Sequence, residues 1–105
     1  MDDWTCCSPD GNIGNNGLLE IKAPQPNTQI YYLSSNKLPD EYFYQVHFQM
    51  YVAEKEWNDF YSFHPDLKAL KIRVYRDESV ILQIKNKIET VKIEVENLIN
   101  KIKNL

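Results

Sequence analysis

Ser8-Pro9-Asp10-Gly11, followed by Gly17-Leu18-Leu19-Glu20-Ile21-Lys22-Ala23-Pro24, is the stretch on which the reading of this chain turns. Gly11-Asn12 and Gly14-Asn15-Asn16-Gly17 are strong turn formers, because Gly and Asn tolerate positive φ. Leu18 to Ala23 then reads as a strand that Pro24 stops. Alternate residues of a strand share a face, so Glu20 and Lys22 point one way and Ile21 the other. With Asp10 across the turn from Glu20, two carboxylates and one ammonium converge on one spot. That is the minimum kit for a hard divalent cation and an activated water. Spacing alone leaves a second reading open, in which these are solvent-facing charges on an exposed sheet. A Glu-x-Lys triplet is a weak signal by itself. Pro65-Asp66-Leu67-Lys68 has similar letters but falls in a connection, with no second carboxylate upstream on a paired strand.

Outward from this stretch, Trp4 to Cys7 is apolar enough for a short strand, and Gln29 to Leu33 reads as extended. Pro39-Asp40-Glu41 opens a helix over about Asp40 to Val52, with acidic residues near the positive end of its dipole. Tyr42, Val46 and Met50 recur at i+4 along it, beside a stripe of Gln45, Gln49 and Val52. Trp57 to Phe63 alternates as a strand with at least one buried face, and Pro65 ends it. Leu70 to Tyr75 is the next strand, with Ile72 and Val74 on one side and Lys71, Arg73 and Tyr75 on the other; the two form an antiparallel pair. From Glu78 onward Ile81, Ile84, Ile88, Val91, Val95, Leu98, Ile102 and Leu105 repeat in alternating steps of three and four, a heptad seam. The order is strand, turn, strand, helix, strand, strand, long helix: a mixed α+β arrangement.

Composition bounds the function. A chain of 105 residues has room for one small domain. Its 43% hydrophobic and 26% charged residues are globular rather than disordered values. A net charge of −3 argues against a generally basic nucleic-acid coat, though not against a local basic strip. Cys6 and Cys7 are adjacent and have no second pair to build a zinc site, which points to a reducing compartment. No secretory signal follows Met1-Asp2-Asp3-Trp4, and no apolar run reaches membrane-spanning length. The expectation is a soluble intracellular domain.

The opening motifs, taken with those downstream, resemble the lambda-exonuclease (YqaJ-type) viral recombinase family of the PD-(D/E)XK nuclease superfamily. The resemblance continues through Leu38-Pro39, Tyr42-Phe43-Tyr44-Gln45-Val46 and Met50-Tyr51-Val52, then Trp57-Asn58-Asp59-Phe60 with Pro65, to Arg73-Val74-Tyr75-Arg76-Asp77-Glu78. It implies a restriction-endonuclease-like α/β core, with Asp10, Glu20 and the main-chain carbonyl of Ile21 binding Mg²⁺ or Mn²⁺. Lys22 is implied to orient or help deprotonate the attacking water, and Gln45 to face the site from its helix. A phosphodiester is anionic, so water attack needs positive charge near its non-bridging oxygens, which a metal and Lys22 supply. The implied activity is 5′→3′ degradation of linear duplex DNA for phage-type recombination, in the cytoplasm of a bacterial or virus-infected cell.

His47 stands where many members of that family have a second glutamine, and Ala23 where a cysteine is common. His47 and His64 read as packing or surface residues, and most of Tyr42, Phe43, Tyr44, Phe48 and Tyr51 as core. Full members carry a substantial N-terminal region with a first core helix. The resemblance therefore describes the C-terminal catalytic half: a single partial nuclease domain, with sheet and helix in residues 1–77 and an amphipathic helix in 78–105. Its expected partners are DNA, a missing N-terminal half or full-length homologue, and other copies in a trimer. Apolar surface left without a covering layer is expected to be exposed. The final helix either packs along its own domain or forms a coiled-coil seam. The alternative to a nuclease is a catalytically silent remnant or interaction module that associates through that helix.

Overall fold

The computed structural model describes residues 9–105; the strand expected at Trp4 to Cys7 lies outside them. The elements in chain order are β1 (Gly11–Ile13), β2 (Gly17–Lys22), α1 (Pro26–Ser35), a 3₁₀ turn (Asp40–Tyr42), α2 (Phe43–Ala53), β3 (Trp57–Ser62), β4 (Leu70–Tyr75) and α3 (Glu78–Lys103). The strands form one sheet in the order β1-β2-β3-β4. β1 and β2 are an antiparallel hairpin whose turn uses Gly14 at φ 61°. β2 and β3 are parallel, with Glu20 opposite Phe60, and β3 and β4 are antiparallel, with Phe60 opposite Ile72. A parallel pair cannot be closed by a hairpin, so α1, the 3₁₀ turn and α2 make the crossover.

One face of the sheet carries the core. Leu18, Phe60 and Leu70 are buried there beneath Tyr32 of α1 and Val46 and Met50 of α2. The Phe60 ring lies edge-on to Tyr32 and 5.1 Å from the Tyr42 ring. On the opposite face Ile21 is 46% exposed, Tyr75 67%, and Phe63, one residue past β3, 44%. Apolar side chains so open on a sheet of this size are a surface that no described element covers. Asp59 sits on that face too, yet is fully buried, forked by Arg73 at 2.8 and 3.1 Å and approached by Lys71 at 3.5 Å. The Arg73 guanidinium lies 3.7 Å over the Trp57 ring and holds the Asp59 carboxyl below the usual carboxylate range.

The sequence reading needs correction between β2 and α2. Gln29 to Leu33 is not extended but lies inside α1, whose Pro26 occupies the first helical turn and whose C-cap Asn36 is left-handed at φ 49°. Gln29 anchors that helix: its amide donates to the carbonyls of Ser62 and Lys68 and accepts from the Ser62 hydroxyl. The helix expected from Asp40 begins instead as a 3₁₀ turn, with α2 proper starting at Phe43.

α3 starts at an Asp77 cap, whose carboxylate accepts from the Ser79 N–H and hydroxyl; these bonds hold its carboxyl low. Its 26 residues span about 39 Å at 1.5 Å per residue. Val80 and Ile81 are its only buried residues, packed at the α2 end. Along the heptad seam Ile84, Ile88 and Val95 are half-buried, and Val91, Leu98, Ile102 and Leu105 are exposed. Among the described residues, the helix is therefore buried against its own domain in its first turn.

Candidate active site

β2 ends in Glu20, Ile21 and Lys22, and pairing decides what surrounds them. Asp10 N–H donates to the Leu19 carbonyl at 3.0 Å, one step beyond the paired residues of β1. Continuing that register puts Asp10 opposite Glu20, where facing Cβ atoms lie about 5 Å apart. The Asp10 carboxylate oxygen Oδ2 takes the Ile21 N–H at 2.7 Å. Alternate residues of a strand send their main-chain groups to the same neighbour, so the Ile21 carbonyl points, like its N–H, toward the β1 side where the paired strand has ended.

Glu20 is 5% exposed. A carboxylate so buried requires partners, and among the described residues it has three donors. Gln45 of α2 donates to Oε1 at 3.2 Å, Lys22 Nζ reaches the same oxygen at 3.1 Å, and Gln49 donates to Oε2 at 3.0 Å. Lys22 Nζ also sits 4.7 Å from the centre of the Tyr42 ring, so both a carboxylate and an aromatic face hold its ammonium.

The expected residues Asp10, Glu20, Ile21, Lys22 and Gln45 thus lie around one end of β2. The residues that the sequence reading set aside do not. His47 is buried on α2, with Nδ1 bonded to the Phe43 carbonyl and no described contact to Glu20. His64 Nδ1 accepts the Asp66 N–H within the β3–β4 connection, and Lys68 serves through its carbonyl. Sequence reasoning assigned no role to Gln49, Asn58 or the Tyr42 ring beside Lys22. The signal for Gln49 was present, since it follows Gln45 by four residues on the same helix face.

The donor set suits a hard cation. The described bonds use both lone pairs of Glu20 Oε1 but one of Oε2, and leave Asp10 Oδ1 without a described partner. Two carboxylates and one carbonyl, all oxygen, leave room for water and phosphate in an octahedral shell, the arrangement Mg²⁺ favours. Among the described residues no group of three or more His, Cys, Asp and Glu side chains is placed to hold a metal, so any ion here depends on this mixed set.

The sequence profile of the YqaJ-like viral recombinase domain matches residues 1–56. No curated protein sequence matches the chain significantly. Among solved structures, the alkaline exonuclease LHK-Exo from Laribacter hongkongensis superposes with a TM-score of 0.85 at 33% identity, over 92% of this chain and 52% of that one. The same exonuclease in complex with dAMP superposes with a TM-score of 0.84 at 33% identity and the same coverage. The chain spans about half the length of that exonuclease.

Proposed function

The chain belongs to the YqaJ-like viral recombinase family, and from that premise we propose that it carries the catalytic centre of a divalent-metal-dependent DNA exonuclease. The observation that supports this reading most is the convergence of Asp10, Glu20 and Lys22 at one strand end, with Gln45 brought to them by α2. In this reading Asp10, Glu20 and the Ile21 carbonyl hold Mg²⁺, for which Mn²⁺ substitutes. The ion, when bound, offsets charge on the phosphate and lowers the pKa of water. Lys22, an ammonium held by Glu20 and Tyr42, orients the attacking water and offsets phosphate charge through its remaining N–H groups. Gln45 holds Glu20 in place.

The proposed substrate is linear duplex DNA, degraded 5′→3′ in phage-type recombination in the cytoplasm of a bacterial or virus-infected cell. Residues 1–77 supply the catalytic sheet and helices, and residues 78–105 an associating helix. The proposed partner is a polypeptide providing the rest of the fold, either an N-terminal half or a full-length homologue, within a trimer. The open sheet face at Ile21, Phe63 and Tyr75 and the exposed seam of α3 are the surfaces such partners would cover. The same exposed seam also favours a second reading, a silent nuclease remnant acting as an interaction module.

Digestion of linear duplex DNA with Mg²⁺, by the chain alone and co-expressed with an exonuclease N-terminal half, separates the two. Activity that disappears in Asp10→Asn and Lys22→Ala supports the nuclease. Activity indifferent to both substitutions rules this site out, and a well-folded assembly that never cuts supports the interaction module.

A further inference from the structure

Behind Glu20 lies a buried chain of amides that the sequence reading left without a role. Gln49 Nε2 donates to Glu20 Oε2 at 3.0 Å, and Asn58 Nδ2 donates to Gln49 Oε1 at 2.8 Å. Asn58 Nδ2 also reaches the main-chain carbonyl of Val46 at 3.4 Å. Asn58 is fully buried and Gln49 is 5% exposed, so water does not compete freely for these groups.

An amide side chain has a donating end and an accepting end. Turned the other way, Gln49 would set its oxygen against the Glu20 carboxylate, lone pair against lone pair. Asn58 prevents this by presenting an N–H₂ to the Gln49 oxygen, and the Val46 carbonyl orients Asn58 in turn. The direction of donation thus runs from Asn58 to Gln49 to Glu20, set by the helix backbone. At Glu20 it meets Oε2, the oxygen that still has a lone pair to offer. Asn58 leaves its own Oδ1 buried without a hydrogen-bond partner among the described residues. An orphaned buried acceptor costs about 1–3 kcal/mol, a cost borne at the residue whose N–H₂ orients Gln49.

We infer that Gln49 and Asn58 form a relay of positioning residues that fixes the rotation of the Glu20 carboxylate for a divalent cation. The inference rests on the nuclease-site reading above. Neither residue touches the cation; both act through Glu20, as partners of metal ligands do elsewhere.

The test measures Mn²⁺ binding to the full chain by titration calorimetry and electron paramagnetic resonance, alongside thermal unfolding. Gln49→Met is expected to weaken Mn²⁺ binding by about 10–100-fold. Asn58→Leu removes the orphaned oxygen but also the N–H₂ that Gln49 Oε1 accepts, so it is expected to weaken binding in the same direction with Tm near or below wild type. Because Asn58 acts through Gln49, the double variant should bind no more weakly than Gln49→Met alone. If Gln49→Met fails to fold, Asn58→Leu carries the test. Wild-type affinity in a folded Asn58→Leu, or additive losses in the double variant, overturns the relay. If Mn²⁺ binding is lost in Glu20→Gln but kept in both relay variants, the relay fails and the metal site stands. If folded wild type binds no Mn²⁺, both fall together.

Discussion

The Asp10 carboxylate accepts the Ile21 N–H at 2.7 Å, so the first acidic side chain of the site is tied to the strand carrying the second. Asn at position 10 keeps an oxygen able to accept that bond but loses the charge. Asp10→Asn is therefore expected to leave Tm within a few degrees of wild type while lowering Mg²⁺-dependent nuclease activity at least about 100-fold. Asp10→Ala should lose both activity and some stability. Unfolding curves and digestion rates for the two variants check the distinction.

Lys22 shares Glu20 Oε1 with Gln45, and its positive charge stands beside the proposed cation site. Lys22→Ala removes that charge. Its expected outcome is a loss of activity of about 100-fold or more with Mn²⁺ affinity held or increased, because a neighbouring cation has been taken away. Calorimetric titration beside a nuclease assay tests it; a parallel fall in affinity would make Lys22 a support for Glu20 alone.

Gly17 opens β2 under the ring of Trp57: a Cβ there would lie 2.2 Å from Trp57 Cη2. Gly17→Ala forces the indole, and Arg73 stacked on it, to move. The expected cost is about 1–3 kcal/mol, read as a lower urea midpoint with little change in the slope of the transition.

Asp59 is held below the usual carboxylate pKa chiefly by its hydrogen bonds with Arg73. A carboxylate whose folded pKa is depressed contributes stability above its unfolded value, near 3.9. That contribution is lost as pH falls from there toward the folded value. Stability should therefore decline along an acid limb below about pH 4. Asp59→Asn should be less stable at neutral pH and flatter along that limb. Unfolding curves between neutral and acid pH measure both.

Leu98 and Ile102 are 57% and 59% exposed on the projecting part of α3. The isolated chain is expected to self-associate through such surface, with an apparent mass in sedimentation that rises with concentration. Leu98→Glu with Ile102→Glu should shift it toward the monomer without altering the unfolding of the sheet.

Much of the site was legible in the sequence because strand periodicity and turn chemistry are local. Gly14 turned the hairpin, Leu18 to Lys22 alternated, and Glu20 and Lys22 fell on one face as a period of two requires. β4 and α3 followed from patterns as local as these. α1 was missed for the opposite reason. Pro24, Pro26 and the aromatic pair Tyr31-Tyr32 argue locally against a helix. What holds α1 in place is Gln29 bonding to Ser62 and Lys68, more than thirty residues away. The exposed seam of α3 was also ambiguous, since heptad spacing shows which side is apolar and nothing about what covers it.

The sequence by itself put Glu20 and Lys22 on one face of β2, with Asp10 across the turn; Gln45 was added to them by the family resemblance alone. The strand placement was legible because neighbours along a strand are fixed by the period of the backbone. Only the tertiary structure decided that β3 pairs parallel to β2, with Leu18 opposite Asn58. That pairing carries Asn58 beneath α2, close enough to orient Gln49 and, through it, Glu20. The physical reason is that a buried carboxylate takes its partners from whatever the fold packs around it, and strand pairing across a crossover is invisible to local pattern.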